Sequence, residues 1–225
     1  MTQKKLPRTW TFGVAAGGLV TAVLLAAGCE PPGPPDTTLF DSPDCTETRT
    51  LGLDGIRPEV PVDAMQLRQR IHSDPPLILS SSGNECATAG DPAACELALS
   101  VLPTAPGFHP CRARACGYSL ATTRGDVVTA YNDSKALTTF LGAIDTPMDA
   151  ILFVFAQGYS ISCTDKALGS VRAALDGDGY EVLASLPEPS CPPVITGYQL
   201  RVTRSGGLSF LNRWPVTPPP GLPCE

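Results

Sequence analysis

The chain has 225 residues, among them 24 prolines, 21 glycines, nine cysteines and only two histidines, with 6% aromatic and 17% charged side chains. Its formal net charge is −6 and its pI about 4.9, so the basic face that duplex binding requires is missing and no nucleic acid is expected as a partner. Two histidines leave little for a histidine-based hydrolase, and no cofactor or metal is expected.

Lys4, Lys5 and Arg8 precede an apolar run over residues 12–27. That run falls short of the roughly 20 residues that span a bilayer. Residues 1–28 read as a secretory signal peptide, removed from the fold argument. The segment ends Leu24-Leu25-Ala26-Ala27-Gly28-Cys29, which resembles the lipobox of bacterial lipoproteins, where small residues precede a cysteine. The resemblance implies that Cys29 carries fatty acyl (palmitate-type) chains and becomes the mature N-terminus, giving a membrane contact through a lipid anchor. Cleavage at an ordinary small-x-small site is the alternative. Glu30 stands after the cysteine where Asp marks inner-membrane retention in some lipoproteins, so the resemblance implies the outer membrane of a bacterial cell envelope. The lipobox, the prolines and the cysteine content together resemble the cysteine-rich envelope lipoproteins of myxobacteria and their relatives.

Residues 29–44, with Glu30-Pro-Pro-Gly-Pro-Pro-Asp36 at their start, favour extended polyproline geometry and read as a stalk. Residues 45–225 read as one disulfide-braced α+β domain, with a mostly antiparallel or mixed sheet and two to three helices. Removing Lys4, Lys5 and Arg8 leaves 13 basic against 22 acidic residues, so acyl chains and not basic residues must hold the membrane. Beyond Cys29 the cysteines are Cys45, Cys86, Cys95, Cys111, Cys116, Cys163, Cys191 and Cys224, an even set suited to disulfides in an oxidising compartment. Cys86 with Cys95 is the most local pairing, and Cys224 is placed to tie down the tail. The other pairings stay open.

Pro61–Ile71 has a loosely helical apolar spacing that predicts a helix ended by Asp74-Pro75-Pro76. Leu77-Ile78-Leu79 suits a short buried strand. Asp91-Pro92 caps and opens a helix running toward Leu102 and stopped by Pro103. Thr146-Pro147-Met148-Asp149 repeats the device, with Gly158 as its left-handed end. The helix between them is apolar nearly all round, so it belongs at the buried centre.

Four of the five tyrosines sit in a Gly-Tyr-x-aliphatic unit, at Gly117, Gly158, Gly179 and Gly197. The first and last extend to Gly-Tyr-x-Leu-x-x-Thr-Arg and predict two hairpins, the glycine admitting the turn into the strand. Duplication of a hairpin and a general liking of strands for tyrosine both account for the echo.

No nucleophile elbow, Ser-x-x-Lys, His-Glu-x-x-His or phosphate loop is present. His109, in Pro106-Gly-Phe-His-Pro110, reads as a surface-loop histidine, and His72 is its only fellow. Cys111 and Cys116, with four residues between them, read as disulfide partners in some pairing rather than zinc ligands. Arg112 and Arg114 read as a solvated loop. Asp176-Gly-Asp-Gly-Tyr180 reads as a tight turn, the closing glutamate of a calcium loop being absent. Arg124-Gly125-Asp126 reads as the turn of the first hairpin. In the last hairpin Trp214, Tyr198 and Arg201, with Phe210, Arg204 and Arg213, combine aromatic faces and guanidinium groups suited to a sugar or peptide. These are the expected ligand contacts, weighed against a Trp214 packed beneath the proline-rich tail.

The expected function is therefore an envelope lipoprotein with a non-catalytic binding or structural role toward an envelope protein or glycan. The alternative is an envelope hydrolase using carboxylates such as Asp126, Asp145 and Asp149, which requires at least two of them to converge in one cleft.

Overall fold

The computed structural model describes residues 33–71, 75–103, 107–109, 116–188 and 194–216. Residues 1–28, read above as a signal peptide, together with Cys29, His72, Cys111, Arg112, Arg114, Cys191, Cys224 and the side chain of Cys116, lie outside the described residues.

Two four-stranded sheets, both wholly antiparallel, enclose one helix. The first has the order β2–β1–β3–β4, from β1 (Ala64–Ile71), β2 (Leu77–Gly83), β3 (Cys116–Arg124) and β4 (Val127–Tyr131). The second is a meander, β5–β6–β7–β8, from β5 (Ser170–Ala173), β6 (Tyr180–Glu188), β7 (Val194–Val202) and β8 (Leu208–Val216). Three helices, α1 (Pro92–Ser100), α2 (Ser134–Leu141) and α3 (Pro147–Ala156), complete the described elements. The class is α+β and mostly antiparallel as expected, with two sheets where a single one was expected.

α3 forms where its caps predict. Thr146 Oγ1 accepts from the Asp149 amide at 3.0 Å, and Asp149 Oδ2 accepts from the Thr146 amide at 2.9 Å, closing a capping box. Gly158 follows at φ +98, a conformation that costs glycine nothing. Ile151, Leu152 and Val154 have no exposed surface, because both sheets and α2 pack on this helix. Met65, Leu67 and Leu120 come from the first sheet, Val182, Leu200 and Val202 from the second, and Leu137 and Leu141 from α2. Each such side chain stabilises the fold by about 1.5–3 kcal/mol relative to exposure.

The outer faces are closed by different means. Over the first sheet lies α1, which opens on Asp91 accepting from the Ala94 amide at 3.1 Å and runs to Ser100. Beneath it the layer is polar: the buried Arg68 guanidinium donates to Leu99 O at 2.9 Å and to Gln66 Oε1, whose own amide group donates to Glu85. The Cys86–Cys95 disulfide joins the loop before α1 to the helix, as the spacing predicted. Over the second sheet lies the N-terminal segment. Phe40 is 1% exposed and packs on Leu183 and Trp214, with Arg172 stacked 4.5 Å from its ring centroid. Asp41 exchanges two backbone hydrogen bonds with Val171, at 2.8 and 2.9 Å, which covers the free edge of β5. The Cys45–Cys163 bridge locks this segment in place across 118 residues of sequence. Packed structure thus begins before Cys45, where the stalk was expected to end, since Phe40 has a hydrophobic slot to fill.

Three local expectations change. The stretch read as a helix over Pro61–Ile71 is strand β1. Its polar residues misled the reading, because Gln66 and Arg68 are buried under α1 while Met65 and Leu67 face α3, so neither face is solvated. Leu77 and Ile78 do lie in a strand, but at 58% and 51% exposure they are not buried. His109 is no solvated loop residue: its ring stacks on Phe155 with centroids 4.3 Å apart, and Nδ1 lies 2.8 Å from Phe155 O. Burial pushes its pKa down, against the opposing pull of that carbonyl.

The two predicted hairpins are both present, as β3–β4 and β7–β8. Of the four glycines in the echo, only Gly179, at φ +87, turns the chain into a strand. Gly197 serves differently, because a Cβ there would lie 2.3 Å from the Trp214 ring.

Candidate functional site

Of the aromatic and arginine residues singled out in the last hairpin, Phe210, Arg213 and Trp214 line one cavity of about 700 Å³, while Tyr198 and Arg201 are not among its lining residues. Trp214, opposite Gly197, is 3% exposed and packs against Phe40 and Leu183 on the outer face of the second sheet. Tyr198 lies on the opposite face, edge-on to Tyr159 at 5.5 Å and to Phe210 at 6.1 Å. Arg201 is held by the β5–β6 turn, pairing with Asp176 and donating to Asp178 O at 2.6 Å. The Asp176-Gly-Asp-Gly segment is the tight turn expected, and the Asp176 carboxyl lies below its usual pKa through its bonds with Arg201 and the Asp178 amide. Among the described residues no three metal-ligating side chains cluster.

Of the three carboxylates, Asp126 belongs to the β3–β4 turn, while Asp145 and Asp149 adjoin at the start of α3 and serve different partners. Asp126 Oδ1 accepts from the Asp91 amide at 3.1 Å, beside the start of α1. Asp145 pairs loosely with Arg204 at 3.7 Å, and its carbonyl accepts from the Tyr180 hydroxyl at 2.6 Å. Asp149 is fully buried at the start of α3, where it accepts from the amides of Arg57 at 2.8 Å, Thr146 at 2.9 Å and Asp145 at 3.2 Å. Burial pushes its pKa up, and those three donors oppose the rise. Such a carboxylate fastens the 50s loop to the helix.

A charged cleft of about 280 Å³ lies elsewhere, between the β3–β4 hairpin, residues 59–62 and α2. Its geometry starts from the hairpin tip, Arg124-Gly125-Asp126-Val127, where Arg124 pairs with Val127 and Gly125 takes φ +55. The Gly125 amide donates to Asp63 Oδ2 at 2.9 Å and to Thr88 Oγ1 at 3.1 Å, so the tip is clamped from one side, while Asp126 clamps it from the other. The Asp63 carboxyl is destabilised by partial desolvation, yet its pKa falls below the usual value because Thr88 and the Gly125 amide bind the ionised form. β3 alternation places Thr122 and Arg124 on the face of Leu120, toward the cleft.

The far wall is hung between two fixed points. The Glu59 amide donates to Phe140 O at 3.0 Å, and the Asp63 amide to Thr123 O at 2.7 Å. α2 is capped by Asp133, which accepts from the Ala136 amide at 2.8 Å, and ends at Gly142 with φ +65. A Cβ on Gly142 would stand 2.8 Å from Glu59 Cβ, so glycine lets this glutamate pack against the helix end. Arg124 therefore marks the hairpin-tip end and Glu59 the α2 end. Neither has an ion-pair partner among the described residues, and both are exposed. Between them stand the hydroxyls of Thr122, Thr129 and Tyr131 and the apolar Val62 and Val127.

Sequence reasoning read Arg124 only as part of a turn and missed Glu59. The available signals were Asp133 and Gly142, which bracket α2 in the manner of caps, but nothing in the sequence joined that helix to the hairpin. Compared with known proteins, the chain matches no family model, no curated protein and no solved structure. Among the described residues no helix is long and apolar enough to cross a membrane.

Proposed function

We propose that the protein is a lipid-anchored envelope lipoprotein whose disulfide-braced domain binds an envelope ligand without transforming it. The observation that carries this reading is the pair of bridges, Cys45–Cys163 and Cys86–Cys95, in a chain whose Cys29 follows a lipobox-like segment. Disulfides persist in exported proteins. Cys29 stands eleven residues before Phe40, where packing begins, so the acyl anchor holds the domain on a short tether at the bilayer surface.

Support for binding rather than chemistry comes from how the ionisable groups are used. Asp149 is consumed by three amides, and Glu181 accepts from Arg172 at 2.7 Å and Gln199 at 2.7 Å. The buried Arg68 is consumed by Gln66 and Leu99 O. Arg124 and Glu59 are instead presented on clamped backbone without ion-pair partners among the described residues, which is how a preorganised recognition site is built.

Intact mass of the protein extracted from native membranes, with free thiols alkylated and disulfides unreduced, tests the reading. The expected mass carries diacyl or triacyl groups on Cys29 and no alkyl group. An unacylated chain with alkylated cysteines overturns it.

A further inference from the structure

We infer that the cleft between the β3–β4 hairpin and α2 binds a short free peptide, about two residues long, through its two charged ends. This rests on the binding reading above and names the ligand class for the same site.

Charge is the first argument. A guanidinium at one end and a carboxylate at the other, both without an ion-pair partner among the described residues, complement a molecule with a carboxylate at one end and an ammonium at the other. Arg124 is suited to the carboxylate because its planar fork donates to both oxygens. Glu59 is suited to the ammonium. Were the two side chains to satisfy one another there would be an ion pair at 4 Å or less, and none forms between them. The clamps explain why. Arg124 is fixed by the turn that Asp63, Thr88 and Asp126 hold, and Glu59 by its amide bond to Phe140 O and its seat on Gly142.

The middle of the cleft is the second argument. Thr122 and Thr129 face one another across the hairpin on the cleft side, and their hydroxyls, with that of Tyr131, can donate to or accept from a peptide amide. Val62 and Val127 offer apolar contact for small aliphatic side chains. An anion such as phosphate leaves the Glu59 end of this arrangement without a counterpart, and an uncharged sugar leaves both ends without one. The volume, about 280 Å³, sits at the lower end of ligand pockets, which limits the occupant to about a dipeptide.

Calorimetric titration of the full mature chain with L-alanyl-L-alanine tests the inference, beside the N-acetylated and C-amidated forms of the same dipeptide. The free dipeptide is expected to bind, and each blocked form to bind about tenfold more weakly, the loss of one charge-assisted contact. Arg124→Gln is expected to erase the discrimination against the amide while keeping that against the acetyl form, and Glu59→Gln to do the reverse. Both residues are exposed, so the variants should unfold at the parent temperature, and that measurement separates lost binding from lost folding. No binding of the free dipeptide, or equal binding of the blocked forms, overturns the proposal. Recovery of free alanine after incubation would overturn the non-catalytic reading instead. An acylated Cys29 without dipeptide binding leaves the anchored protein standing and removes only this site.

Discussion

The two sheets share one core and differ in how their outer faces are sealed. Both inner faces pack on α3 with ordinary aliphatic side chains. On its outer side the first sheet carries a regular helix over a hydrogen-bonded polar layer, Arg68, Gln66 and Glu85, stapled by the local Cys86–Cys95 bridge. The second carries an irregular segment over Phe40, Leu183 and Trp214, stapled by the distant Cys45–Cys163 bridge. A capped helix holds itself together by its own backbone bonds, whereas a segment with few such bonds depends on its anchor. The second seal should therefore be the more vulnerable to loss of its disulfide.

Removing each bridge tests that difference most directly. Cys45→Ser with Cys163→Ser frees a loop of 118 residues and is expected to cost about 4–5 kcal/mol in the chain-entropy picture, while Cys86→Ser with Cys95→Ser, separated by nine, is expected to cost about 2–3 kcal/mol. Denaturant midpoints measure both. Equal losses would mean that the helix over the first sheet needs its staple as much as the segment over the second.

A smaller effect is expected at the floor of the second seal. Gly197→Ala places a Cβ against the Trp214 ring and should cost about 1–3 kcal/mol by overpacking. Tryptophan fluorescence should shift with it, since Trp10 is the sole other tryptophan of the sequence. An unchanged spectrum and midpoint would mean that the ring does not lie against this strand.

Smallest, and of opposite sign at two places, are the pH effects. Asp149 has a folded pKa raised by burial, so stability falls as pH rises from the ordinary carboxylate value of 3.8 through the raised one. Asp63 has a lowered pKa, so the stability it contributes is present above 3.8 and lost as pH falls through the depressed value. Asp149→Asn should flatten the first dependence and Asp63→Asn the second, in urea midpoints taken from pH 2 to pH 7. A variant that leaves the profile unchanged removes its residue from this account.

Helix ends and turns were legible in the sequence because each is written in a few adjacent residues. Asp91-Pro92, Thr146-Pro147-Met148-Asp149, Gly158 and the turn Arg124-Gly125-Asp126 all form as their local chemistry dictates. The apolar run of Ile151–Ala156 also announced its buried centre, since no amphipathic reading fits it. β1 was not legible: with helix α3 on one face and α1 on the other, Gln66 and Arg68 are buried beside Met65 and Leu67, and the alternation that marks a strand disappears. Nor was the fate of Trp214, which depended on Phe40 arriving from 174 residues earlier.

The local signals thus determined the caps, the hairpins, the central helix and the nearest disulfide, because neighbours in sequence settle backbone bonds among themselves. Tertiary structure alone decided that there are two sheets, that Phe40 closes one of them, and that Glu59 and Arg124 face a common cleft. Those outcomes turn on which distant surfaces meet, and burial is a property of the meeting rather than of any segment.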